Sequence, residues 1–186
     1  MIKQTNLSVR NAKNAIRGLE ELCTFIKASL GKISMVEIGS FSGDSVRVFA
    51  RFFHTIYSID PWQSGYDPND NASNPNMYDM KMVEAKFDEA CVQYLNINKM
   101  KMTSADAVHY FKDESFSFIY IDGNHQEKYI REDIKLWTPK VKKGGFLGLH
   151  DYQSRHFPYV EKIVHEIFGI PTMIFKDSSC VVHIKE

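Results

Sequence analysis

The sequence predicts an α/β protein in which a doubly wound, mostly parallel sheet carries helices on both faces, and three observations carry that expectation. Short runs rich in β-branched residues alternate with longer stretches of helical period, so strands and helices interleave along the chain. The run at 33–38 ends in Glu37-Ile38-Gly39, crosses a loop closed by Gly43, and passes into a segment whose Val46, Phe49, Ala50 and Phe53 recur at helical spacing. Glu37, Asp60, Asp122, His125, His150 and Asp151 all fall at or just beyond the ends of such runs. In an open parallel sheet those ends share one crevice, which is where ligands collect.

Composition narrows the class before any motif is read. A chain of 186 residues with 44% hydrophobic and 25% charged residues suits one globular domain spanning 1–186. Its 23 basic residues are balanced by 23 acidic ones. The whole-chain electrostatic footprint of a nucleic-acid binder is therefore missing, and no nucleic-acid partner is expected. Cys23, Cys91 and Cys180 are an odd, scattered set without zinc spacing or a disulfide framework, which fits buried or idle thiols in a reducing, cytoplasmic compartment. Residues 1–13 hold no apolar signal core, and no apolar run approaches about 18 residues, so neither export nor membrane insertion is expected.

The loop after the first strand restricts its ligand by what it lacks. A dinucleotide fingerprint would place glycines where Phe41 and Asp44 stand, and a P-loop would put its phosphate-binding lysine at Asp44. Glu37 beside Gly39 disfavours a polyphosphate and suits a ligand with an ammonium or hydroxyl groups. S-adenosyl-L-methionine has an amino group, a ribose and a sulfonium, and no phosphate. Glu37-Ile38-Gly39-Ser40-Phe41-Ser42-Gly43 reads acid-x-Gly-x-x-x-Gly, and so resembles the first motif of the class I S-adenosylmethionine-dependent methyltransferases. The resemblance implies that the cofactor crosses Gly39, Ser40, Phe41 and Gly43, with Glu37 near its methionine amino group.

Taken in order, the chain opens with a helix over 9–30, where Ala12, Ile16, Leu19, Cys23, Ile26 and Leu30 form an apolar stripe and Gly31 is the natural stop. Among methyltransferases such a helix either covers the cofactor or lies in a homodimer interface, and both alternatives stay open here. A second strand at 55–60 ends on Asp60, 21 positions beyond Gly39. That spacing suits an acid that accepts hydrogen bonds from ribose hydroxyls, although a turn-starting Asp before Pro61 is the simpler alternative. Trp62 either covers the adenosine or belongs to the core. Residues 63–76 turn to Gly, Pro, Asp, Asn and Ser, as expected of a lid that is mobile without substrate. A helix over 77–95 buries Met80, Val83, Phe87, Cys91 and Tyr94, and a third strand at 98–102 leads to Ser104-Ala105-Asp106. Ser104 and Ala105 either sit beside the adenine or simply open a helix capped by Ser104.

The second polar group follows the strand at 116–121 and reads Asp122-Gly123-Asn124-His125. A helix over 126–137 turns Ile130, Ile134 and Trp137 inward, Pro139 ends it, and Gly144-Gly145 turn into a strand at 146–152 that carries His150-Asp151-Tyr152. A helix at 157–168 and strands at 172–175 and 180–184 complete the chain. Asp-Gly-x-His, an Asp-x-x-x-Trp helix, Gly-Gly and His-Asp-Tyr together resemble the small subfamily of macrocin-type sugar O-methyltransferases and cephalosporin-hydroxylase-like proteins, over residues 35–152. The resemblance implies a Rossmann-like seven-stranded sheet with an antiparallel C-terminal strand. Metal-dependent relatives, the catechol O-methyltransferases included, bind magnesium through acids at the ends of the fourth and fifth strands, and the matching positions are Asp122 and Asp151. Catechol-type enzymes add an Asn after the second acid, where this chain has Tyr152. Asn124, His125 or His150 would then complete the site, and imidazole favours a transition metal over magnesium.

The expected activity is methyl transfer from S-adenosyl-L-methionine to a hydroxyl of a small molecule or sugar. Asp122, His125 and His150 form the acceptor-activating group, with His125 or His150 taking the acceptor proton. Two alternatives stay open: a non-catalytic S-adenosylmethionine-binding module and, given the missing glycines, the weaker case of an NAD-linked oxidoreductase.

Overall fold

In the computed structural model, which describes residues 13–185, the chain runs α1 (Lys13–Leu30), β1 (Ser34–Ile38), α2 (Asp44–Phe52), β2 (Thr55–Asp60), α3 (Met80–Gln93), β3 (Ile97–Lys101) and a helical turn α4 (Ser104–Ala107). It continues through β4 (Phe116–Ile121), α5 (Glu127–Trp137), β5 (Val141–Leu149), α6 (Pro158–Phe168), β6 (Met173–Ile174) and β7 (Cys180–His183). The strands form one seven-stranded sheet in the order β3-β2-β1-β4-β5-β7-β6. Pairing is parallel from β3 through β5, and β7 runs antiparallel to both β5 and β6. The expected architecture is therefore the one observed.

The central strands alternate their side chains between two apolar layers, as strand geometry requires. Met35, Phe118 and Tyr120 pack with α1, α2 and α3 on one face. Val36, Ile38, Ile119 and Ile121 pack with α5 and α6 on the other. The strand order reverses at β1, which has β2 on one side and β4 on the other, and the crevice opens there.

Several boundaries differ from those the sequence predicts, each for a local reason. Residues 9–12 of the expected first helix lie outside the described residues, and the described part of α1 packs on α2 and stays clear of the crevice. The cofactor-covering alternative for that helix is not met by its described residues. α3 starts only at Met80, because Asp79 accepts from the backbone N–H of Lys81 and so sets the first turn. β5 begins at Val141, before the glycines: Phe116 pairs with Val141 and Phe118 with Phe146. Gly144 and Gly145 thus form a bulge inside the strand, held by Ile184 through hydrogen bonds of 2.8 and 2.9 Å. Among the described residues no helix is long and apolar enough to cross a membrane.

Candidate active site

Strand parity decides what Glu37 does. It shares the face of Met35, under α2, and is 0% exposed. Its carboxylate accepts hydrogen bonds from the hydroxyls of Ser40 at 2.8 Å, Ser58 at 3.3 Å and Ser45. Glu37 does not line the crevice, so its expected contact with the methionine amino group gives way to a structural role in which it ties the glycine loop to α2 and β2. Ser40 is likewise spent on Glu37, and Gly43 starts α2 at φ 84° with the Phe87 ring 3.2 Å from where a Cβ would stand. Neither lines the crevice, contrary to their assignment as cofactor contacts. Gly39 does line it. At φ 84° it comes so close to the loop after β4 that a Cβ would fall 2.1 Å from the carbonyl oxygen of Asp122, a contact only glycine allows.

Asp60 ends β2 inside the crevice wall. One carboxylate oxygen accepts from Phe41 N–H at 2.9 Å and the other from Trp62 N–H at 2.7 Å. Burial nonetheless pushes its pKa up to about 6, against the pull of those two bonds. Each oxygen keeps a second lone pair for a ribose hydroxyl. Phe41 and Trp62 hold φ of 44° and 43°, positions that non-glycine residues occupy only under constraint. Phe41 lines the crevice, whereas Trp62, 4% exposed, packs on Phe87 and donates from Nε1 to the Phe41 carbonyl at 2.8 Å. Trp62 is thus a core residue that props the loop from behind, and it does not cover the adenosine.

Thr103, and not Ser104, caps α4: its hydroxyl accepts from the Asp106 N–H at 3.1 Å. Ser104 instead donates to Asp133, the buried acid of the Asp-x-x-x-Trp helix, which the sequence reading does not place in the site. Burial raises the Asp133 pKa to about 7, with the Ser104 bond opposing. Ser104, Ala105 and Asp133 all line the crevice, whose volume is about 590 Å³.

At the other end of the crevice the loops after β4 and β5 bring four side chains together. Asp122 N–H donates to Ile38 and His150 N–H to Ile121, at 2.8 and 3.0 Å, so adjacent strand ends set their side chains next to one another. The ligating atoms of Asp122, His125, His150 and Asp151 lie within 4.8 Å of one another. His150 Nδ1 is 3.1 Å from both Asp122 Oδ1 and Asp151 Oδ2, and His125 Nε2 is 3.1 Å from Asp151 Oδ2 and 3.6 Å from Asp122 Oδ1. Phe157 stacks on the His125 ring at 4.4 Å, and Asp151 is held at φ 59°. Burial works against ionisation of Asp151, but the two imidazoles outweigh it and hold the carboxyl well below its ordinary value.

These four residues fit a divalent cation. Ligand atoms about 2.1 Å from one ion lie about 3.0 Å apart in cis octahedral positions and about 3.4 Å apart in a tetrahedron; three of the contacts here are 3.1 Å and a fourth is 3.6 Å, with every ligand atom within 4.8 Å of the others. Buried His125 Nε2 has both carboxylates nearby yet makes no hydrogen bond of good geometry to either, as a nitrogen aimed at a common centre would. Tyr152 plays no part, since its hydroxyl turns away to His165 Nε2 at 2.6 Å. Asn124 is engaged elsewhere: its Nδ2 donates to Asp67 at 2.8 Å and its Oδ1 accepts from Gln126 N–H at 2.9 Å.

The Asn124 bond anchors the loop 63–76. Gly65 N–H donates to the Ser73 carbonyl at 2.8 Å, Gln126 Nε2 reaches the Asn69 carbonyl at 3.3 Å, and the Tyr66 ring meets Tyr129 edge-on. The loop 63–76 is thus a chain of turns that lines the crevice and is fastened to the segment that joins Asp122 to α5.

This sheet order, with its crevice between the loops after β1, β2 and β4, is that of the class I S-adenosylmethionine-dependent methyltransferases. The methyltransferase-domain family matches residues 36–152, and the chain belongs to that family. An uncharacterised protein, R132, of Acanthamoeba polyphaga mimivirus is 30% identical over 162 residues, which cover 80% of this chain and 66% of that protein, just under two thirds of its length. Among solved structures the chain is similar to the O-methyltransferase NovP, with a TM-score of 0.67 at 11% identity over 92% of this chain and 79% of that one. It is also similar to an rRNA methylase from Streptococcus thermophilus, with a TM-score of 0.60 at 11% identity over 91% and 98% of the two chains. Identities this low show a shared fold and nothing about the acceptor.

Proposed function

We propose that this protein moves the methyl group of S-adenosyl-L-methionine to a hydroxyl of a small molecule or sugar, as macrocin-type O-methyltransferases do, with a divalent metal held by Asp122, His125, His150 and Asp151. The observation that carries the proposal is the convergence of two carboxylates and two imidazoles inside the crevice that Gly39 and Asp60 line. The sulfonium supplies an electrophilic methyl, so the chain must align an acceptor oxygen with it and help that oxygen lose its proton. A divalent ion held there would supply the second of these by lowering the pKa of an acceptor hydroxyl.

The chain's own residues do the rest. Asp60 takes the ribose hydroxyls, Gly39 lets the ligand lie against the backbone, and the loop 63–76 excludes water from above. Phe157 fixes the plane of His125. Two imidazoles among the ligands favour a transition metal over magnesium. The charge balance also supports the metal over a lone histidine base. Two carboxylates this close repel, and a cation held between them would relieve that repulsion. The neutral charge balance of the chain supports a small acceptor over RNA.

The test is methyl transfer from labelled S-adenosyl-L-methionine to a panel of diols, phenols and sugars, before and after chelation. Activity that chelator removes and a divalent ion restores supports the proposal. Full activity after chelation removes the metal and leaves His125 as the base. Cofactor binding without transfer to any hydroxyl acceptor points to a binding module.

A further inference from the structure

α5 turns Ile130, Ile134 and Trp137 into the core, and Asp133 stands in the same stripe, 6% exposed. A carboxyl group at a core position is costly unless it is hydrogen-bonded and used. One of its oxygens accepts from the Ser104 hydroxyl, while Oδ2 lies against Gly123, 3.3 Å from where a Cβ would stand. Thr103 already caps α4, so the helix start has no need of Ser104. Both Ser104 and Asp133 line the crevice. Asp60 fixes which part of a nucleoside reaches them. With the ribose hydroxyls on Asp60, the 5′ carbon must lead past Gly39 toward Asp122 and His125, where the methyl is delivered. The glycosidic bond then points the other way, toward α4 and α5.

We propose that Asp133 reads the base of the cofactor: its carboxylate accepts a hydrogen bond from the exocyclic 6-amino group of adenine while Ser104 holds the carboxylate in position. Asp133 thereby acts as a specificity-determining residue that selects a 6-amino purine over a 6-oxo or 6-unsubstituted one. The inference rests on the crevice being an S-adenosylmethionine site. The competing role, an anchor that merely ties α4 to α5 through Ser104, is indifferent to the 6-substituent of the ligand.

The test is calorimetric titration of the intact protein with S-adenosylhomocysteine, with its analogue in which hydrogen replaces the 6-amino group, and with its inosine counterpart. The hydrogen analogue keeps the N1 acceptor and so isolates the amino group. Wild-type protein is expected to bind the analogue about ten- to hundredfold more weakly than S-adenosylhomocysteine. In Asp133→Ala that ratio falls to near unity. Should Asp133→Ala fail to fold, Asp133→Leu, which completes the apolar stripe, carries the same comparison. Equal affinity of wild-type protein for both ligands overturns the inference, and so does a ratio that persists in the variants. Failure of wild-type protein to bind any of the three ligands overturns the cofactor assignment itself, an outcome distinct from loss of selectivity.

Discussion

The two ends of the crevice handle their acids in opposite ways. At the cofactor end the carboxylates are satisfied by the chain itself: Glu37 by three serine hydroxyls and Asp60 by two backbone N–H groups. At the acceptor end Asp122 and Asp151 face each other across two imidazoles, and His125 Nε2 makes no well-formed hydrogen bond. The difference separates two kinds of preorganisation. The cofactor end is rigid before anything binds, since breaking any one bond exposes a buried charge. The acceptor end is geometrically set and, on the proposed reading, completed electrostatically by a cation.

The strongest way to break that comparison is at the acceptor end. Asp122→Asn or Asp151→Asn should lower methyl transfer by about a thousandfold or more while leaving the melting temperature of the metal-free protein nearly unchanged, because several kcal/mol of charge stabilisation are lost from the reaction and little from the fold. Circular dichroism melts beside a radiolabel assay check both halves of the statement. Next in size is Asp60→Ala, which removes a charged acceptor from the ribose and should weaken cofactor binding about ten- to hundredfold by calorimetry. The same residue sets a pH dependence. Its folded pKa of about 6 lies above the ordinary 3.8, so its contribution to the stability of the ligand-free protein is present below the lower value and lost as pH rises through the upper one. Cofactor affinity, which needs the ionised form, should move the other way, rising through pH 6 and then levelling. Affinity that stays flat between pH 5 and pH 7 would remove Asp60 from the ribose.

Glu37→Gln sharpens the contrast from the opposite side. Weakening an acceptor shared by three hydroxyls should cost about 2 kcal/mol of stability and about 4–8 °C in melting temperature, with no change in divalent-ion affinity. The smallest effect belongs to the lid. Asp67→Ala removes the Asn124 bond and should raise the acceptor KM only a few-fold, with faster amide exchange confined to residues 63–76.

Much of this is legible in the sequence, because strand ends can be read from short apolar runs that stop at acids and glycines. Asp60, Asp122, His125, His150 and Asp151 are located that way, and the structure brings the last four into contact. Side-chain direction is harder to read. The glycine motif assigns Glu37 to the cofactor, although its parity with Met35, a buried core residue on the α2 side, points it away from the crevice that Ile38 lines. Trp62 stays open between core and adenosine for a related reason: its φ is 43°, and no sequence pattern at Asp60-Pro61-Trp62 announces the bend that puts it in the core. Asp133 leaves a usable signal. It falls three residues after Ile130 and one before Ile134, inside the apolar stripe of α5, and an acid in that register marks either a buried partner or a ligand. The Gly144-Gly145 pair reads as a turn by composition, and only its pairing with Ile184 reveals a bulge within β5.

A cation completes the acceptor end, on this reading, while the cofactor end is complete in itself. Differential scanning fluorimetry of metal-stripped wild-type protein and Asp151→Asn, each with manganese, cobalt, zinc or magnesium and separately with S-adenosylhomocysteine, measures both at once. The predicted result is a rise in melting temperature with a divalent transition metal for wild-type protein alone, and a rise with S-adenosylhomocysteine for both. A melting temperature unmoved by every ion, or moved equally in wild-type protein and Asp151→Asn, would contradict it.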